Sequence, residues 1–320
     1  MTIKRETWAN LQRAETLLVH AAVMKSPQGM AGLWDGTELQ GSDRMYITRF
    51  ASGFDPAHLC ATDYVTRYPF TTSDAVERVF GRLVDKAVLE HGARAYSFTA
   101  HGMRIARSWL DRVGQVLDAV ASSALPDEDA RRLLQFDQRI VRGLQQTAGE
   151  FPAPIFANRA RGLQPAFDSP ALWHHWQYVW TMLALDEDAQ EYVRQSDGIA
   201  PLEWFFRRQL WFVENRPWRA RVKTTSLHEL ANRYAPVAET NCRETWESLC
   251  AQGLVTGSYE SPELSGQGAK LHDQSELQVD QLFLARWPVL APEEVRELES
   301  LTGRMNQYCE KVMSEVERES

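Results

Sequence analysis

Cysteine is scarce in this 320-residue chain, and the four present, Cys60, Cys242, Cys250 and Cys309, are scattered. Their spacing forms neither a metal-ligand set nor a disulfide framework, so free thiols in a reducing cytoplasm are expected. Long apolar runs are missing too. None approaches the roughly 18 residues a membrane span needs, so no membrane partner is expected. The opening MTIKRETWANLQRAETLLVHAAV lacks an uncharged apolar stretch followed by a small-residue cleavage site, and reads as an amphipathic helix rather than an export signal. Positive charge is in deficit: Lys+Arg 35 against Asp+Glu 43 gives a net charge of −8. That argues against indiscriminate nucleic-acid binding and leaves room only for a local basic face. Phosphate-cradling Gly-rich loops, nucleophile elbows, paired-cysteine motifs and His-Glu helix signatures are all absent, which predicts no enzyme, no cofactor and no metal. The adjacent His174 and His175 diverge on a helix and lack ligand partners at a suitable spacing.

What the chain does have is bulk apolar content, 44% hydrophobic and 10% aromatic, enough for packed cores rather than a disordered chain. Its length allows about two domains of roughly 150 residues. It also repeats itself. Slid along itself by 166 positions, the sequence sets Tyr68 on Tyr234, Phe80 on Trp246, Leu83 on Leu249 and Gly102 on Gly268 without a gap. The same offset sets Val88-Leu89 on Leu254-Val255, Phe98-Thr99 on Leu264-Ser265, and Pro126-Asp127-Glu128 on Pro292-Glu293-Glu294. This period is too long for a solenoid, so a duplicated domain is the better reading. The division is 1–148, a linker at 149–170, and 171–320; the linker carries Pro152, Pro154, Gly162, Pro165 and Pro170.

Periodicity predicts a largely helical chain. Residues 5–24 place Trp8, Leu11, Ala14, Leu17, Leu18 and Ala21 three and four apart, one apolar face of a helix. Met24 to Asp43 reads mostly as loop and Arg44–Ala51 as a helix. Asp55-Pro56 is a helix-start signal for a short helix to about Arg67, which Tyr68-Pro69-Phe70 breaks. Thr72 or Ser73 then caps a helix with Val76, Val79, Phe80, Leu83 and Val84 on one face, and Gly92 ends it. Ala95–Phe98 is strand-like, Thr99–Gly102 opens a helix to about Val120, and Pro126 leads into Glu128–Leu144. After the linker come two aromatic helices, Leu172–Leu185 and Leu202–Asn215. The same order of elements then recurs from Ser226 to Met313.

A short helix, a tight turn, a second helix and a two-stranded ribbon is the order of a winged helix-turn-helix. Leu227-His228-Glu229-Leu230-Ala231-Asn232-Arg233-Tyr234, then Trp246 to Val255, then Leu264-Ser265-Gly266-Gln267-Gly268, resembles MarR-like winged-helix regulators. The first copy matches through Arg82–Leu89 and Tyr96–Gly102. The resemblance implies a mainly α fold of two tandem winged helix-turn-helix domains with small β-wings in a pseudo-twofold arrangement. Fusion supplies the dimer partner covalently, so a monomeric pseudo-dimer is expected, with a homodimer as the alternative. Gln135-Phe136-Asp137 resembles the catalytic triplet of winged-helix DNA glycosylases, but those chains use more winged units and place it differently; a surface helix accounts for it.

The function this implies is a cytoplasmic DNA-binding transcriptional regulator acting on double-stranded DNA. Thr72, Ser73, Arg78, Arg82, Lys86 and Arg94 are the DNA-facing candidates of the first copy, and Asn241 and Arg243 those of the second. Cations meeting phosphates supply most DNA affinity. Leu59–Ala106 carries one more cation than carboxylates, whereas Thr225–His272 carries three fewer, so the first copy is the better DNA candidate. The alternative is a scaffold that has lost DNA binding and serves as a ligand-sensing or protein-interaction module. Trp173, Trp176, Trp180, Trp204 and Trp211 stand where such regulators hold small aromatic effectors, although large aromatics also simply glue domains together. The densest basic cluster, Arg207, Arg208, Arg216, Arg219, Arg221 and Lys223, is expected to be a salt-bridged face meeting the acidic remainder.

Overall fold

A computed structural model describes residues 2–25, 39, 42–146, 171–216 and 226–319. The predicted linker at 149–170, most of the loop before Asp43, and Arg219, Arg221 and Lys223 lie outside the described residues. The fold is mainly helical, with two small antiparallel hairpins. In chain order the first half holds α1 (Thr2–Lys25), α2 (Ser42–Gly53), α3 (Ala61–Arg67), α4 (Ser73–Asp85), β1 (Leu89–His91), β2 (Tyr96–Phe98), α5 (Ala100–Ala124) and α6 (Asp127–Gln145). The second half holds α7 (Ala171–Ser196), α8 (Pro201–Asn215), α9 (Leu227–Tyr234), α10 (Glu239–Ala251), β3 (Val255–Gly257), β4 (Pro262–Leu264), α11 (Gly266–Leu284) and α12 (Pro292–Glu319). Among the described residues no helix is long and apolar enough to cross a membrane.

The sequence repeat is a structural repeat. Helices α4 and α10 begin and end at positions related by the offset of 166, as do both hairpins and the starts of α3 and α9. Hydrogen-bond registers agree as well: Leu89 faces Phe98 in one hairpin and Val255 faces Leu264 in the other. Each unit leaves its second helix through a residue in the left-handed region, Ala87 (φ 53°) or Gly253 (φ 70°). The next amide then turns back onto that helix, Val88 N to Leu83 O and Leu254 N to Leu249 O, both 2.9 Å. A hydroxyl fastens the hairpin to the following helix. Thr99 Oγ1 donates to Ala87 O at 2.6 Å and accepts from Gly102 N at 3.0 Å; Ser265 Oγ does the same with Gly253 O at 2.6 Å and Gly268 N at 2.9 Å.

Two readings from local signals give way to this geometry. Helix α4 ends at Asp85 rather than Gly92, because the left-handed Ala87 redirects the chain into β1. Asp55-Pro56 starts no helix. Instead Leu59 pairs with Tyr96, N to O at 2.7 Å and 2.8 Å in the two directions, and Phe98 N donates to Pro56 O at 3.0 Å. The free edge of β2 presents unpaired backbone groups, and this segment satisfies them.

The halves interlock through their long helices. α1 packs along α12, and α7, its counterpart, packs along α6, the counterpart of α12. Each unit's first helix thus pairs with the other unit's last, the self-complementary pattern of a twofold interface. Trp8, Leu11, Leu18, Leu298, Met305 and Cys309 are buried in one seam, and Leu133, Ile140, Leu144, Trp173, Trp176 and Val179 in the other, within one continuous core. Arg132 grips Glu297 with two 2.8 Å bonds, and Arg304 meets Asp129 at 2.8 Å, tying α6 to α12. A smaller core under the second unit gathers Leu202, Phe206, Leu230, Leu249 and Val255.

The hairpin–helix junction admits no side chain. A β-carbon on Gly102 would lie 2.0 Å from Val88 O, and one on Gly268 2.0 Å from Leu254 O. Gly102→Ala and Gly268→Ala are each expected to lower stability by at least about 2 kcal/mol in urea titrations, since backbone must move. Ala87→Gly is expected to be neutral or to stabilise by up to about 1 kcal/mol, by releasing a left-handed alanine. An unchanged Gly102→Ala variant would contradict this packing.

Candidate functional site

Helix α4 is built to show one polar face. Thr72 caps it by accepting from Ala75 N at 3.3 Å, and Val76, Val79, Phe80 and Leu83 bury the opposite face. Thr72, Ser73, Arg78, Arg82 and Lys86 are exposed, and Arg94 is exposed between β1 and β2. The structure therefore gathers the first copy's sequence-predicted residues on one helix and its adjoining hairpin. Two of these cations are engaged. Asp43, itself buried on α2, takes Arg82 Nη2 at 3.1 Å and Lys86 Nζ at 2.6 Å. Burial alone would push the Asp43 carboxyl up, but Lys86 and Arg82 together hold it below its ordinary value. Glu77, also exposed on α4, accepts from Tyr96 Oη at 2.6 Å; that bond, with burial, pushes the phenol up to about 12.

Asn241 and Arg243 are exposed on α10, far poorer in cations. Arg243 lies over the Tyr259 ring at 4.4 Å and 3.6 Å from Glu239. Glu239, Glu244, Glu247, Glu260 and Glu263 are exposed around it. No signal in the local sequence marked Asp43 as the partner of α4, because the two are far apart in the chain.

The two units also meet directly, at the corners where α3 and α9 end. Tyr68 and Tyr234, equivalent residues, lie 6.3 Å apart by ring centroid, and the Arg49 guanidinium sits over both, 5.6 Å and 4.4 Å away. Thr71 Oγ1 donates to Pro236 O, Tyr64 Oη to Tyr234 O, and Tyr46 Oη to Asn232 O at 3.3 Å. Beside this junction is a cleft of about 390 Å³ lined by Tyr46, Ala75, Arg78, Val79, Arg82, Asn232 and Pro236.

None of the five tryptophans lines that cleft. Trp173, Trp176 and Trp180 form a ladder along α7, with centroids 4.7 Å and 5.4 Å apart, and Trp180 Nε1 donates to Glu15 at 2.7 Å. Trp204 and Trp211 flank His272 at 5.3 Å and 5.5 Å, and Trp211 Nε1 donates to Asp273 at 2.7 Å. The structure thus divides them into two packing groups. His175, beside Trp176, is fully buried with its Nδ1 2.6 Å from Asp137.

The described part of the basic cluster is salt-bridged, as expected. Arg208 reaches Asp186 and Glu276, each at 3.4 Å; Arg216 lies 3.9 Å from Glu276 and donates to Gln12 at 2.7 Å; Arg207 meets Glu203 at 3.4 Å. Arg207, Arg216, Asp186 and Glu276 are buried and Arg208 is half-buried where α8, α11, α7 and α1 converge, and Asp280, also buried on α11, meets Arg5 at 2.6 Å. Burial opposes ionisation of both acids, with opposite outcomes. Against that burial, His272, Arg208 and Arg216 hold Glu276 well below its ordinary value, whereas Asp280 is pushed up to about 6 despite Arg5.

These shifts give opposite pH slopes. The stability from Glu276 is present above about pH 4.3, the unfolded value, and lost as pH falls through the lower folded value. That from Asp280 is present below about pH 3.9 and lost as pH rises through its folded value. Asp280→Asn is therefore expected to flatten the stability profile between pH 4 and 7, read from melts across pH; an unaltered profile would contradict the assignment. Glu276→Gln removes the carboxylate that Arg208 and Arg216 share, leaving Arg208 with Asp186 and the buried Arg216 with Gln12, and is expected to cost about 3–5 kcal/mol at pH 7. Compared with known protein families, with curated proteins and with solved structures, the chain matches none.

Proposed function

We propose that the chain is a covalently fused pair of MarR-like winged helix-turn-helix units and acts as a transcriptional regulator that contacts double-stranded DNA through its first unit. The observation that carries this reading is the recurrence, in register, of helix, turn, helix and hairpin, with the polar face of α4 left exposed. In that architecture the second helix enters the major groove and the ribbon lies along the backbone. Arg78, Arg82, Lys86 and Arg94 supply the phosphate contacts, and Thr72 and Ser73 lie at the end of α4 that leads into the groove. The second unit braces the first through the interlocked helices and carries little of the DNA contact.

A second reading, a fused pair that keeps the shape without DNA and works as a ligand-sensing or protein-interaction module, is favoured by one observation. Five glutamates are exposed on α10 and its hairpin against Arg243, and phosphate repels such a surface.

Fluorescence anisotropy with duplex DNA at increasing salt separates the two. Four phosphate contacts predict a slope of about −3 to −4 in log affinity against log salt. Arg78→Ala and Arg94→Ala are each expected to reduce that slope by about one, whereas Asn241→Ala and Arg243→Ala leave it unchanged. Asp43→Asn, which releases Arg82 and Lys86, is expected to tighten binding. Absence of binding at low salt would overturn the DNA reading in favour of the second.

A further inference from the structure

The cleft between the units lies away from the tryptophans, beside the helix end where α9 of the second unit faces α4 of the first. Its wall chemistry is divided. Tyr46, Ala75, Val79 and Pro236 provide apolar surface, while Arg78 and Arg82, one helical turn apart on α4, provide guanidinium groups on one side. Asn232 closes the opposite side and is held in place: its Nδ2 lies 2.6 Å from His228 Nε2, and its Oδ1 accepts from Val237 N at 3.0 Å. The volume, about 390 Å³, falls in the range of small-molecule sites.

The charge around the cleft is unbalanced. Arg78 makes no ion pair among the described residues, and Arg82 and Lys86 share the single carboxylate of Asp43. Arg78 and Arg82 are the charged groups that line the cleft itself. Guanidinium groups in a cleft with apolar walls favour oxyanions that take paired N–H donors.

We propose that this cleft is a binding site for a phosphate monoester with a small apolar body. The dianionic head pairs with Arg78 and Arg82, the two guanidinium groups on the cleft wall, and the body lies against Val79, Pro236 and the Tyr46 ring. A monocarboxylate would bring one charge to two guanidinium groups, and inorganic phosphate would leave the apolar wall unused. Because it touches both α4 and the end of α9, the ligand would couple the two units. The site does not depend on duplex binding, and its test uses no DNA.

Isothermal titration calorimetry of the full chain with phenyl phosphate, inorganic phosphate and benzoate provides the test. Phenyl phosphate is expected to bind at least about tenfold more tightly than either of the others. Arg78→Ala and Arg82→Ala are each expected to weaken it about tenfold or more; replacing Arg78, which makes no ion pair among the described residues, is expected to leave the melting temperature of the free protein unchanged. Asn232→Asp, which sets a carboxylate opposite the arginines, is expected to weaken it as well. No heat with phenyl phosphate, equal affinity for all three, or binding that survives both arginine substitutions would overturn the proposal.

Discussion

The rest of the structure depends on the reciprocal pairing of α1 with α12 and of α6 with α7. Each seam joins a helix from one half to a helix from the other, so neither half can bury its own long helices. Full burial of each Leu, Val or Trp in these seams is worth about 1.5–3 kcal/mol, and more than ten such side chains lie within the two. Small units of helix, turn, helix and hairpin have little core of their own; the second gathers only a modest cluster around Leu230 and Leu249. The seams fix where those units stand, and the Tyr68–Tyr234 corner fixes how closely they approach.

The pairing also explains where charge is buried. Arg208 and Arg216, whose sequence neighbourhood looks like a basic strip, point inward to Glu276, and Arg208 also to Asp186 on α7. Arg5 from α1 closes the same cluster on Asp280. A buried ion pair is weak evidence of net stabilisation, but it penalises any register that leaves one partner alone. The cluster therefore reads as a specificity device that sets how α1, α7, α8 and α11 come together.

Much of this fold is legible in the sequence because the chain repeats it. The order of elements in each unit and the pairing of Gly102 with Gly268 are visible at the offset of 166. Local signals misled where tertiary contacts overrode them. Asp55-Pro56 has the composition of a helix start, yet its segment is recruited to the open edge of β2. Helix α4 stops before Gly92 because an alanine adopts a conformation usually left to glycine, which no propensity reveals. The candidate site was legible on the α4 side through its arginines. Its other half was not, since Asp43 and Tyr46 come from a distant segment with no motif and nothing in the Leu227–Tyr234 stretch set Asn232 apart, and the tryptophans fall into two packing groups away from the cleft.

The interlock makes one thermodynamic demand: the halves must unfold together. Eight of the eleven tryptophans lie after residue 170, so indole fluorescence reports mainly on the second half, while far-UV circular dichroism reports on helices throughout. Equilibrium denaturation in urea followed by both signals is the most direct measurement. Coincident curves with one midpoint, independent of protein concentration, are the expected result; two separated transitions, with helix content lost in stages, would contradict a structure held together by shared seams.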